Sequence, residues 1–398
     1  MKILSLFDGM ACGMIAMLNA GIEVESYDAY EIDKHAIKVS SHNFPNIRHH
    51  GDVFKADFTR HRGVDFLIGG SPCTYWSIAQ KNGRETEASG MGWELFCQYV
   101  RALKEAEPAF FIYENNKSMS SEIRESITKT FGFEPVCINS ALVSAQNRNR
   151  LYWVGQRNAD GTYSKVNVEQ PEDRGILLQD ILDHATDAVC VAQRGRYTEY
   201  GLRQHYEVRE DGKTNVLTTV TKDNKVCEPV RIGTWPRSDG VIMDHQQSRI
   251  YSVMGKSTNL NANGGGQGAK TGLYAFCVPR YAEVVKWDEF GNPTEAKSYA
   301  DGKVYPVYRV KNGQITINDL QYPIKLEDGF YIIRNLTIRE SKKLQTVPDW
   351  YDFSVISNAQ AYKCLGNGWT CDVITHLIKA ILTAARRKWL DELLGDCL

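Results

Sequence analysis

Nowhere in this chain of 398 residues is there a run of 18 apolar residues, and the N-terminal "MKILSLFDG" enters an extended apolar pattern at once. The expectation is a chain with no membrane span and no secretory leader, working in the cytoplasm of its host. Also missing is any C-x-x-C pair, since the ten cysteines are scattered along the chain. A disulfide framework or a zinc site needs tighter, paired spacing, so reduced thiols and no metal are expected. A strong charge is absent too: the net value is −1, which on its face argues against a polyanionic partner. The balance is uneven, however, because residues 190 to 282 hold 13 Lys or Arg against 8 Asp or Glu, a local net of +5 compatible with nucleic acid. What is plentiful is apolar material, 42% of the residues, enough for two or three domains with a sizeable core.

The first 155 residues alternate short apolar runs with amphipathic ones, the pattern of strands joined by helices into a parallel sheet. Strands are expected at 2–7, 24–30, 65–69, 109–114, 134–143 and 151–155, and the clearest helices at 34–44, 93–106 and 120–131. After Gln156 the rhythm breaks into short strands among Gly, Asn, Thr and Tyr, and "NANGGGQGAKTG" reads as a glycine-rich loop. Within this second, irregular region, "GKTNVLTTVT" and "GKSTNLNANG" form a weak internal echo, either a duplicated hairpin or coincidence. Helical periodicity returns from Tyr331, and "DVITHLIKAILTAARRKWLDELL" is suited to complete the first domain's helical face. The expected organisation is a catalytic domain over 1–158, a second domain over 159–330, and a segment over 331–398 that rejoins the first.

In open α/β sheets, ligands bind beyond the carboxyl ends of the strands, so the residues just after each strand matter most. "FDGMACG" after the first strand supplies a glycine turn but not the full G-x-G-x-x-G that cradles a pyrophosphate. Glu31 ends the next strand 23 residues after Asp8, near the offset at which an acid accepts hydrogen bonds from ribose hydroxyls. Asp52 in "HHGDVF" suits an adenine amino group, although alone it reads as a turn or cap. Together the three turns suggest an adenosine-containing cofactor whose remaining part carries no phosphate. Cys73 stands out from the other thiols because it follows a strand end and Pro72, and because "KNGRETEASGMGW" after it has the composition of a lid. Glu114 in "FFIYENNKS" ends the neighbouring strand among apolar residues, which favour a protonated carboxyl group. Arg148 and Arg150 in "SAQNRNRLYW" are two apart, hence on one side of a strand, placed to hold an anion or a carbonyl oxygen.

These residues carry a family likeness. "FDGMACG", "YEID", "GDV", "GGSPC", "ENN", "QNRNR", "RNLTIRESKKLQTVPDW" and "LGNGW" occur in the order found in DNA cytosine-5 methyltransferases, and the chain resembles that family from residue 7 to about 385. Departures are local: Ala11 and Cys12 look more like the animal de novo enzymes, while Thr74, Asn116 and Gly368 stand where Gln, Val and Ser are common. The resemblance implies a Rossmann-like α/β fold, a mostly parallel sheet with helices on both faces, carrying a smaller β-rich target-recognition domain. It implies Cys73 as nucleophile, Glu114 as acid at ring N3, and Arg150, supported by Arg148, at the base carbonyl. For S-adenosylmethionine it implies Phe7, Asp8, Gly9 and Met10 at the methionine part, Glu31 and Ile32 at ribose and adenine, Asp52 and Val53 at adenine, with Leu95, Asn367, Gly368 and Trp369 closing the pocket. It implies double-stranded DNA as partner, read by residues 159–330, in a monomer of bacterial or phage type.

Three rival readings stay open on sequence alone. A nicotinamide-dependent dehydrogenase suits the sheet but not the missing glycine and the idle thiol; a non-catalytic scaffold leaves Cys73, Glu114 and Arg150 unexplained; a transfer-RNA methyltransferase keeps the chemistry and changes the polymer.

Overall fold

The computed structural model describes residues 1–77, 83–183, 190–198, 201–209, 231–235, 249–253, 255–257 and 273–395. The chain divides into two compact units, one built from Met1–Arg174 and Ser341–Leu398, the other from Gly175–Thr258 and Thr271–Glu340.

The first unit is organised on β1 (Lys2–Leu6), β2 (Ser26–Tyr30), β3 (Arg48–His49), β4 (Phe66–Gly69), β5 (Phe110–Asn116), β6 (Val136–Asn139), β7 (Asn149–Arg157) and β8 (Tyr163–Lys165). Their order in the sheet is β3-β2-β1-β4-β5-β7-β6, with β8 against β7. The run from β3 to β5 is parallel, and β7 is antiparallel to β5, β6 and β8. Strand β4 is buried along its whole length, as a parallel strand covered on both faces must be. The chain runs outward from β1 to β3 and then returns on the other side of β1 as β4. The crevice of this sheet therefore opens between the turns that follow β1 and β4.

Helices α1 (Cys12–Asn19), α2 (Lys34–Asn43), α3 (Gly90–Ala106) and α4 (Ser121–Phe131) fill the connections. Helix α3 buries Phe96, Tyr99, Leu103 and Ala106 at three- and four-residue spacing. It begins three residues before the apolar periodicity does, since Gly90, Met91 and Gly92 carry no periodic signal. Asp33 caps α2 by accepting from the amides of His35 and Ala36, and Ser120 caps α4 from Ile123. After the second unit, α7 (Ile338–Leu344), α8 (Asn358–Asn367) and α9 (Cys371–Gly395) return the chain. Thr375 on α9 donates to the carbonyl of Ala16 on α1, so the last helix does cover the first unit.

The second unit holds short α5 (Leu178–Ile181) and α6 (Val278–Tyr281), and a hairpin of β9 (Cys190–Thr198) with β10 (Gly201–Arg209). A seven-stranded sheet orders β11 (Arg231–Thr234), β12 (Arg249–Ser252), β13 (Leu273–Cys277), β20 (Gly329–Arg334), β17 (Tyr308–Lys311), β18 (Gln314–Ile317) and β19 (Leu320–Pro323). A three-stranded sheet joins β14 (Ala282–Trp287), β15 (Pro293–Ser298) and β16 (Val304–Pro306). The core of the seven-stranded sheet gathers Ile250, Val310, Ile315 and Tyr331, and buried Arg334 makes a two-pronged ion pair with Glu340 at 2.8 Å.

The unit boundaries differ from those expected at 158 and 330. Residues beyond 158 remain in the first unit because β8 hydrogen-bonds to β7, and residues beyond 330 remain in the second because β20 pairs with both β13 and β17. The echo at 212–221 and the glycine-rich loop at 261–272 lie outside the described residues, as does most of the repeat beginning at Gly255. Among the described residues, no helix is long and apolar enough to cross a membrane.

Candidate active site

Glu114 sits near the carboxyl end of β5, where the register pairs it with Tyr152 and pairs Asn116 with Arg150 of β7. That places Arg150 diagonally across the strand pair, and its Nε lies 2.9 Å from Glu114 Oε1. The other oxygen, Oε2, accepts from the indole Nε1 of Trp369 at 3.0 Å. Glu114 and Arg150 are both buried. The expectation of an acid crowded by hydrocarbon is thus corrected: both carboxylate oxygens meet N–H donors, one of them cationic.

The loop that carries Cys73 is bound to the same strand. Ser71 shares a hydrogen bond with the Tyr113 hydroxyl at 2.7 Å, and the Asn115 side-chain amide donates to the Ser71 carbonyl at 3.1 Å. Cys73 then opens a short 3-10 turn through Tyr75. Gly70 is dictated by closeness: a Cβ there would stand 2.7 Å from the Glu114 carbonyl and 2.8 Å from its Oε2. Gly70→Ala is expected to push Glu114 out of place. Turnover at this site should fall by about tenfold or more and stability by about 1–3 kcal/mol, read from initial rates and thermal unfolding.

Arg148 departs from the role expected of it. Its guanidinium donates to the carbonyls of Gly366 at 3.3 Å and Gly368 at 3.0 Å, so it fixes the turn between α8 and α9 rather than reaching to Glu114 beside Arg150. Buried Gln345 reinforces that turn by donating to the carbonyls of Leu365 and Gly368, and Gln146 joins it from the β6–β7 connection. Asn367 ends α8 in an exposed position, and Trp369 leaves the turn toward Glu114.

On the β1 side, the turn Phe7–Ala11 is unusual in its backbone. Phe7, Gly9 and Ala11 have φ of 57°, 60° and 62°, and two of these left-handed positions are not glycine. The turn is braced by Tyr351, whose hydroxyl donates to the Met10 carbonyl at 2.6 Å, and by Glu31, whose Oε2 accepts from the Gly9 amide at 2.8 Å. The second oxygen of Glu31 accepts from the amides of Ile32 and Asp33. Asp8 accepts through Oδ1 from the hydroxyls of Ser5 and Tyr27, while its Oδ2 is buried without a partner. Burial pushes the Asp8 carboxyl up to about 6, against the opposing pull of those two hydroxyls. Ile32 is 76% exposed, an apolar face open to a ring. Asp52 caps the 3-10 turn Val53–Lys55 through the Phe54 amide, the plain structural role its spacing allows. Phe7, Val53 and Leu95 border one apolar cluster with Leu6, Tyr30 and Tyr99. A buried carboxylate oxygen without a partner, an α1 N-terminus with no side-chain cap and an exposed apolar Ile32 fit the ammonium, carboxylate and adenine of S-adenosylmethionine.

Sequence reasoning assigned no role to Gly70, Ser71, Tyr113, Asn115 and Gln345, which orient the others, although all five lie within the stretches "GGSPC", "FFIYENNKS" and "RNLTIRESKKLQTVPDW". A cavity of about 880 Å³ opens elsewhere in this unit, over Asp28, His50 and His61. There Arg48 takes both oxygens of Asp28, at 2.9 and 2.5 Å.

Comparison with known proteins gives a consistent result. The family described as C-5 cytosine-specific DNA methylase matches residues 1–383. An orphan methyltransferase, M.SPRI of Bacillus phage SPR, is 26% identical, covering 96% of this chain and 97% of its own. The type II methyltransferase M.NgoPII of Neisseria gonorrhoeae is 25% identical, with 97% of both chains covered. Among solved structures, the methyltransferase EhMeth of Entamoeba histolytica aligns with a TM-score of 0.55 at 12% identity over 96% of this chain and 98% of its own. A DNMT2 mutant from Spodoptera frugiperda aligns at 0.52 and 17% identity, over 96% and 99%. These last two likenesses concern the fold. With the match running through nearly the whole sequence, the chain belongs to the C-5 cytosine-specific DNA methylases.

Proposed function

We propose that the protein transfers a methyl group from S-adenosylmethionine to C5 of a cytosine in double-stranded DNA, by way of a transient bond between Cys73 and the base. The observation that carries this reading is the buried Glu114 carboxylate, held between Arg150 and Trp369 on the strand next to the loop that bears Cys73.

Cytosine C5 is a weak nucleophile, and addition of the Cys73 thiolate to C6 sends electron density into the ring, making C5 enamine-like. Glu114 acts in its protonated form: its O–H donates a hydrogen bond or proton at N3 while the remaining lone pairs keep the Arg150 and Trp369 contacts, and Arg150 holds the base carbonyl as negative charge develops there. S-adenosylmethionine, when bound, supplies a sulfonium methyl group whose bonding pair stays with sulfur as carbon passes to C5. Loss of the C5 proton to a base then restores the ring double bond and expels the Cys73 thiolate. Arg148 acts at one remove, by holding the Gly368 carbonyl. For the methyl donor, Asp8 pairs with the ammonium, Gly9 and Met10 face the methionine part, Phe7 and Leu95 wall the pocket, and Glu31, Ile32, Asp52, Val53 and Asn367 surround the nucleoside.

The reacting carbons lie inside the base stack, so the cytosine must rotate out, at a cost of a few kcal/mol that DNA contacts offset. We assign that task to residues 159–330, whose Arg194, Arg196, Arg203, Lys213, Lys222, Lys225 and Lys270 supply phosphate-binding charge. The test is incubation with labelled S-adenosylmethionine and either unmethylated DNA or transfer RNA, followed by mapping of modified cytosines. The expected result is 5-methylcytosine in DNA within one short, fixed sequence; label appearing only in RNA would overturn the substrate assignment.

A further inference from the structure

We infer that Trp369 is a positioning residue for Glu114, and that its indole N–H, rather than its bulk, is what the reaction uses. The inference rests on the reading of Glu114 as the acid at N3 and deepens it.

A carboxyl group that must meet a ring nitrogen in one plane has to be prevented from rotating about its last bond, and a single one-point contact cannot do that. Here there are two, on opposite oxygens: Arg150 Nε at 2.9 Å from Oε1 and Trp369 Nε1 at 3.0 Å from Oε2. Gly70 leaves room for Oε2 in this orientation, since a Cβ there would stand 2.8 Å away. The indole itself is held by its backbone. The Gly368 carbonyl accepts from Arg148 and Gln345, and the Thr370 hydroxyl donates to Gln345 Oε1 at 2.9 Å. On its other side this turn touches the β1 side of the crevice: a Cβ at Gly368 would lie 3.1 Å from Cys12 Sγ and 3.5 Å from Met10 Sδ. The turn after α8 thus stands between the Met10 loop and the acid, with Trp369 as its contact with the acid.

Two substitutions separate donor from bulk. Trp369→Phe keeps an aromatic ring and removes the N–H. Trp369→His removes the benzo ring but keeps an N–H where the indole has one, because the imidazole Nε2 and the indole Nε1 occupy equivalent corners of a five-membered ring attached at Cβ. The readouts are the exchange of tritium from C5 of labelled cytosine in target DNA, methylation kcat, KM for DNA, the dissociation constant for S-adenosylmethionine and the thermal midpoint. Trp369→Phe should lower exchange and kcat about tenfold, the size expected for loss of one buried hydrogen bond, with KM and donor affinity within about twofold of wild type. Trp369→His should stay within about threefold of wild type in kcat. In a Glu114→Gln background, Trp369→Phe should cost much less than tenfold, because the two groups act as one. A role in packing alone gives the reverse order, with Phe tolerated and His impaired, and that order would overturn the inference. So would wild-type rates for Trp369→Phe beside a crippled Glu114→Gln. Wild-type exchange by Glu114→Gln would instead remove the acid from the mechanism, and the reason for positioning it with it.

Discussion

Cys73→Ser is expected to lower methyl transfer by about a thousandfold or more while leaving S-adenosylmethionine affinity within about twofold. A free thiol has a pKa near about 8.5 and supplies a few per cent thiolate at neutral pH, whereas a serine hydroxyl is negligibly ionised and needs a neighbouring base. The backbone around Cys73 is held by contacts that do not involve its sulfur: Ser71 to Tyr113 and Asn115, and Glu85, whose amide donates to the Tyr75 carbonyl at 2.9 Å. The variant should therefore fold. Single-turnover methylation and calorimetric titration of the donor check the two halves of this expectation, and normal methylation by Cys73→Ser would remove the nucleophile assignment.

Asp8→Asn is expected to do two opposite things: to stabilise the ligand-free protein above neutral pH, and to weaken S-adenosylmethionine binding by about a hundredfold. Burial raises the Asp8 carboxyl from 3.8 to about 6. A group raised in the folded state has its full stabilising effect below its unfolded value and loses it as pH rises through the folded one. The window here runs from about 4 to about 6, and the whole shift corresponds to about 3 kcal/mol. An amide in place of the carboxylate avoids the buried charge but leaves its own buried N–H₂ to be satisfied, so a gain of about 1–2 kcal/mol at pH 7.5 is expected. The same buried charge is what an ammonium group would neutralise, so donor affinity of the wild type should weaken about tenfold per pH unit below 6. Thermal unfolding and donor titration at pH 5 and 7.5 measure both; a variant that loses stability while binding the donor normally would contradict the account of this turn.

In the parallel half of the sheet β1 and β4 were legible as near-continuous apolar runs and α3 by its periodicity, whereas β3 is only Arg48–His49 and gives no apolar signal. Helix starts and unit boundaries were not, since β8 and β20 are short strands whose membership depends on pairing with distant segments. At the site, Cys73, Glu114, Arg150 and the Phe7–Gly13 turn stood out because each follows or flanks a strand at the ligand-binding edge. Two features escaped. Arg148 shares a face with Arg150 in sequence logic, yet its length lets it turn to the Gly366 and Gly368 carbonyls, more than 200 residues on. Trp369 read as a wall of the donor pocket, and only the folded chain brings its N–H to an acid 255 residues earlier. The positive φ values at Phe7 and Ala11 were equally hidden, because a left-handed backbone advertises itself in sequence only when glycine occupies it.

The most direct measurement is a trapping experiment on target DNA containing 5-fluorocytosine, in which fluorine at C5 blocks the final elimination. With S-adenosylmethionine present, a denaturation-resistant protein–DNA species should form, and peptide mass analysis should place the base on Cys73. Methylation of ordinary cytosine by the same preparation without any such species, or a species attached to a different residue, would contradict the mechanism.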